Sequence, residues 1–187
     1  MSTSKMLPLI LPIGIFGFLG GAALGASRKN LSMLPPRKPS IRWEKFVAIM
    51  TVAPRGHVSP RRRFGMFGLD ARRLSDVGFM TMPRKTTIGS ESGVWSGEWV
   101  APLTEQKFLE STPAQYEAFA RSMRKLAPTV KGHVGKTIDG KKATLSGLLA
   151  AGHLAGESGI ESWVSDPAVR AKFQATTARF DKANGIF

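Results

Sequence analysis

Between Leu103 and Trp163 the chain carries two apolar patterns with the spacing of helices, not strands. In the first, Tyr116, Phe119, Met123, Leu126 and Val130 recur at intervals of three and four, one stripe along a helix. Thr112 and Pro113 open it, a hydroxyl cap followed by a residue whose φ is already helical. Pro128 is expected to kink or end it. The second pattern, LSGLLAAGHLAG from Leu145, is apolar and small on nearly every side, the composition of a helix packed around most of its circumference. Between them, Asp139-Gly140 sits in a short polar and branched stretch, Lys136 to Thr144, the pattern of a tight β-hairpin. The fold class expected is mainly α with one small hairpin.

The 187 residues suffice for one domain with a real core plus an appendage. That appendage is expected at residues 1–27. Met6 to Ala26 is a run of 21 uncharged residues, long enough as a helix to cross roughly 30 Å of hydrocarbon. A cleavable signal peptide is the rival reading, because Ala22 to Ala26 resembles a small-residue cleavage site. The expectation is a retained, uncleaved single-pass anchor whose helix begins near Pro12. A helix buried inside a protein assembly is the other alternative. Gly17, Gly21 and Gly25 lie four apart and so share one face, where small residues let membrane helices approach closely. Residues 28–40 read as a basic, proline-rich linker, and residues 41–187 as the domain.

Net charge is +14, which attracts polyanions: nucleic acid, anionic headgroups or acidic glycans. No cysteine is present, so disulfide frameworks and cysteine-built metal sites are excluded. The histidines, His57, His133 and His153, lack metal-ligand spacing, and neither a metal nor a cofactor is expected.

Within the domain, Trp43, Phe46, Val47, Ile49 and Met50 predict a short first helix, and Ala71 to Val77 a second. The loop between them carries Arg61, Arg62 and Arg63, the densest charge run and the candidate polyanion contact. Met82 to Pro102 reads as a loop with two aromatic anchors, Trp95 and Trp99. These either stack on sugar rings or pin the loop to the core. Near the C-terminus, Asp166 and Pro167 start a helix that presents Val169, Phe173, Thr176 or Thr177, and Phe180 inward and ends at Gly185. Phe119, Met123, Leu148, Leu149, Trp163, Phe173 and Phe180 are expected to share one core.

The order of these pieces resembles one family. Leu103-Thr104, Phe108-Leu109, Gly135, Thr137-Ile138, Gly140, Ser146 to Ala151, His153-Leu154, Gly156 and Gly159 match the C-terminal part of lysozyme-like peptidoglycan transglycosylases of phages and plasmids. The resemblance implies a lysozyme-like helical domain. It also implies a general acid, a Glu at the end of the first domain helix, in a phrase of the type Ile-Ala-x-x-Glu-Ser-Gly-Gly. A Gly-x-x-Gln type phrase follows it, with Gly65 to Leu69 as counterpart here; Phe67 joins Trp95 and Trp99 as a glycan-contact candidate. Counting back puts the acid's position at Ala53, and no Asp or Glu occurs between Glu44 and Asp70. Alanine cannot donate a proton.

The resemblance thus implies a transglycosylase-like domain without its acid, serving a virion or a membrane-associated complex. Its expected partners are the other subunits of that assembly and membrane lipid, through residues 6–26. Peptidoglycan and nucleic acid, the latter contacted without regard to base sequence, are further candidates. Two alternatives remain. One is an active transglycosylase or muramidase with an unconventional acid, Glu91 or Glu44, acting during genome delivery. Here Glu91-Ser92-Gly93 and Glu157-Ser158-Gly159 carry the right tripeptide in the wrong order. The other is a basic membrane protein contacting nucleic acid.

Overall fold

A computed structural model describes residues 40–88 and 91–187. The hydrophobic segment, its Gly17, Gly21 and Gly25 stripe, and residues 28–39 of the linker lie outside the described residues. Among the described residues, no helix is long and apolar enough to cross a membrane.

The chain is mainly helical. Ser40 accepts a hydrogen bond from the Trp43 N–H and caps α1 (Ile41–Met50). Trp43, Phe46, Val47 and Met50 line its buried face, at the three-and-four spacing of a helix. Asp70 caps α2 (Ala71–Asp76) and Thr104 caps α3 (Glu105–Glu110). The long α4 (Thr112–Lys131) is capped by Ser111, one residue ahead of the expected Thr112. It runs three residues past Pro128, which therefore does not end it. Phe119, Met123, Leu126 and Val130 are buried, but Tyr116, at the margin of the stripe, is 38% exposed.

Two antiparallel hairpins complete the elements. In the shorter, β3 (Thr137–Ile138) pairs with β4 (Lys141–Lys142). Asp139 and Gly140 between them have φ of +46° and +77°, the two left-handed positions of a type I′ turn. The longer hairpin corrects the sequence reading. β1 (Met80–Ile88) pairs with β2 (Glu91–Trp99) where a loop was expected from Met82. Its strand pattern is masked by Pro83, which lies where the register shifts between Thr81 and Arg84, so the missing N–H breaks no regular ladder.

At the centre stands α5 (Leu145–Ala155), capped by Thr144 and buried from Ser146 through His153. It packs against α4, α6 (Glu157–Ser165) and α8 (Gln174–Ala183). Its glycines permit this closeness: a Cβ on Gly147 would stand 2.7 Å from Asn184 Oδ1 and 2.9 Å from the Phe180 ring. The expected C-terminal helix is divided into α7 (Pro167–Lys172) and α8, with Phe173 at the break and 53% exposed. Phe173 is therefore not a core residue; Phe119, Met123, Leu148, Leu149, Trp163 and Phe180 are. Arg170, buried at the end of α7, donates to the Trp163 and Val164 carbonyls and to the Asp139 carboxylate, tying the small hairpin to the end of α6.

Candidate functional site

After α1 the chain turns so that Ala53, three residues past the helix, lies against the Gly65–Leu69 turn. The Val52 and Ala53 N–H groups both donate to the Met66 carbonyl, at 2.7 and 3.4 Å. Gly65 holds this turn through a φ of +68° and a contact with no room for a side chain, since a Cβ there would collide with Gln115 Oε1. Gln115 is fully buried on α4. Its Oε1 accepts from the Met66 N–H, and its Nε2 donates to the carbonyls of Arg55, Phe108 and Leu109. One amide thus fixes the turn, the loop before it and the end of α3.

Ala53 opens on a cavity of about 250 Å³ whose walls include His57, Ser59, Arg63, Asp70, Arg73 and His153. Asp70, Arg73 and Leu154 are shared with a second cavity of about 210 Å³ that continues past Trp95, Lys125, Glu157 and Ser158. The two cavities adjoin at these three residues, and their walls come from α2, the long hairpin, α4 and the α5–α6 corner.

His153 is the buried hinge of the first cavity. Its Nε2 lies 2.9 Å from the Phe67 carbonyl oxygen and its Nδ1 2.8 Å from Arg73 Nη1. A carbonyl only accepts and a guanidinium only donates, so Nε2 carries the hydrogen and Nδ1 receives one. Burial first, and the Arg73 charge second, push His153 down to about 3, so the imidazole is neutral. Burial also lowers Arg73, against the pull of Asp70 and with the push of Arg63.

The sequence candidates separate. Ala53 lies beside the Gly65–Leu69 turn, but three residues past the end of α1 and not at the helix end itself. Asp70 is the carboxylate in the lining of this cavity. Glu44 is exposed on α1 in a different depression, with Trp43, Thr51 and Tyr116. Glu91 pairs through its backbone with Ile88, and its side chain lies outside what is described.

Trp95 lines the second cavity, with Arg72 5.5 Å over its ring. Trp99 instead packs edge-on to Phe64 and tilted on Phe108, pinning the hairpin. Phe67 is not available to stack on a sugar. It is 1% exposed and lies flat on Phe119, ring centroids 4.2 Å apart. The arginine run also divides. Arg61 is exposed, Arg62 bridges Glu105 at 2.9 Å over the Phe64 ring, and only Arg63 reaches the cavity.

Asp70, Arg73, Glu157 and Ser158 were not singled out as site residues. Asp70 caps α2, and Glu157-Ser158 is set aside by its order along the chain. Chain order does not reveal that α6 begins beside α2. Among the described residues, no cluster of His, Asp or Glu has metal-site geometry. Comparison with protein-family models, with curated proteins and with solved structures yields no match to this chain.

Proposed function

We propose that this chain is a structural or assembly protein of a virion or membrane-associated complex. Its helical domain is a transglycosylase-like module that holds glycan without cutting it, tethered through the hydrophobic segment at residues 6–26. The observation that carries this reading is Ala53. It lines the first cavity, after the first domain helix and against the Gly65–Leu69 turn, where the resemblance calls for the acid. A general acid protonates a glycosidic oxygen best from apolar surroundings that favour its neutral form. This cavity offers the guanidiniums of Arg63 and Arg73 instead. The adjoining cavities keep what binding needs: hydrogen-bonding walls and an indole at Trp95.

One observation favours a second reading, a cleaving enzyme with Asp70 as its acid, because Asp70 lines both cavities. Against it, Asp70 Oδ1 is engaged at 2.9 Å by the Arg73 N–H as the cap of α2. Purified full-length chain in detergent micelles, mixed with peptidoglycan sacculi, separates the readings. Protein that sediments with the sacculi while the supernatant stays free of muropeptides supports the holding module. Muropeptide release that disappears in Asp70→Asn supports the enzyme.

A further inference from the structure

The cavity beside Ala53 gathers two guanidiniums. Among the described residues, no carboxylate lies within ion-pair distance of either one. Arg63 extends from the turn before Phe64, and Arg73 rises from α2. The Arg63 charge opposes that of Arg73, while Asp70, more strongly, and Glu157 and Asp76 support it. Asp70, the one carboxylate on this wall, accepts the Arg73 N–H at Oδ1 and keeps its negative charge, so one guanidinium stands in excess.

Arg73 is held in place from behind, by His153 Nδ1 at 2.8 Å and by the Gly152 carbonyl at 3.3 Å. Its neutral imidazole partner accepts a hydrogen bond without cancelling any charge. A guanidinium carries five N–H donors, so Arg73 retains donors beyond these two. Ser59 and His57 add a hydroxyl and a second imidazole, while Ala53 and Leu154 supply apolar wall. Two guanidiniums against one carboxylate leave this wall positive, an excess that an anion relieves, and a planar carboxylate fits the guanidinium fork.

Resting on the glycan-holding reading, the geometry points to a subsite for a sugar carboxylate between Arg63 and Arg73. The preferred ligand is then a glycan with free acid groups. A peptidoglycan strand stripped of its stem peptides, with its lactyl carboxylates exposed, has that chemistry; a neutral chitin-like chain does not. Arg63 and Arg73 bind the acid, Ser59 and His57 contact its neighbouring hydroxyls, and His153 is a positioning residue acting through Arg73.

The test is calorimetric titration of the full-length chain in detergent micelles with three soluble probes. These are N-acetylglucosamine–N-acetylmuramic acid oligosaccharides with free carboxylates, the same oligosaccharides with stem peptides attached, and neutral N-acetylglucosamine oligomers. The free-acid probe is expected to bind most tightly. Loss of one charge-assisted contact in Arg63→Gln should weaken it about tenfold, down to the level of the neutral oligomer, with Arg63→Lys retaining part of the preference. Arg63 is exposed, so neither variant disturbs the core. Equal affinity for all three probes, unchanged in Arg63→Gln, would overturn the carboxylate subsite and leave glycan holding intact. Absence of binding to any probe and to sacculi would overturn the glycan reading itself.

Discussion

With its Nε2 hydrogen on the Phe67 carbonyl and its Nδ1 turned to Arg73, His153 has no place for a second proton. Its folded pKa of about 3 lies below the ordinary 6.5. Between those values the unfolded chain binds a proton that the native chain does not. The contribution is therefore fully present above about pH 6.5, is lost as pH falls toward 3, and changes no further below. Each unit of difference is worth about 1.4 kcal/mol, so the loss by pH 4 amounts to a few kcal/mol. Urea denaturation at pH 7 and pH 4 checks this. The wild-type midpoint should fall more steeply than that of His153→Gln, and parallel falls would contradict it. Gln115 gives a second residue-scale expectation. Gln115→Leu leaves the Met66 N–H and the Arg55 and Leu109 carbonyls without this partner, while Phe108 keeps the Ser111 N–H. A cost of about 3 kcal/mol follows, read as a lowered thermal midpoint, and an unchanged midpoint would remove the clamp from the account.

Among the elements, α5 and α8 meet closely because Gly147 faces the Phe180 ring and Asn184. Phe180→Ala opens a cavity in that contact and should cost about 3–5 kcal/mol. Phe173→Ala, at the exposed break before α8, should stay within about 0.5 kcal/mol of wild type. Equal losses in chemical denaturation would restore the single continuous helix that the sequence predicts. That helix reads well from Asp166 to Phe180 because caps and spacing are local properties. Its break at Phe173 does not read, since the apolar spacing continues straight through it. The Asp139-Gly140 turn is legible for a local reason too: both residues must adopt φ above zero. The long hairpin is hidden because its strands contain Pro83, Gly93 and Gly97, residues that strands ordinarily exclude. Gly93 is required there, since a Cβ would collide with the Thr86 carbonyl.

Across the whole molecule, the chain after α1 brings Ala53 against the Gly65–Leu69 turn, three residues past the helix. The lining of the cavities is a property of tertiary packing. It draws Asp70 from one helix start, Trp95 from a strand and Glu157 from another helix start, and no spacing along the chain joins them. Arg63 and Arg73 set its chemistry. Ala53→Glu would place a carboxyl beside the Gly65–Leu69 turn, next to two guanidiniums that favour its ionised form. Turnover of peptidoglycan by that variant is expected to stay at background, and brisk turnover would contradict the proposed effect of Arg63 and Arg73 on a carboxyl at this position. The most direct measurement is on the unaltered protein: incubation with purified sacculi, sedimentation, and chromatography of the supernatant. The chain should be found in the pellet with no muropeptides released, whereas sustained release of muropeptides by wild-type protein would contradict a module that holds glycan without cutting it.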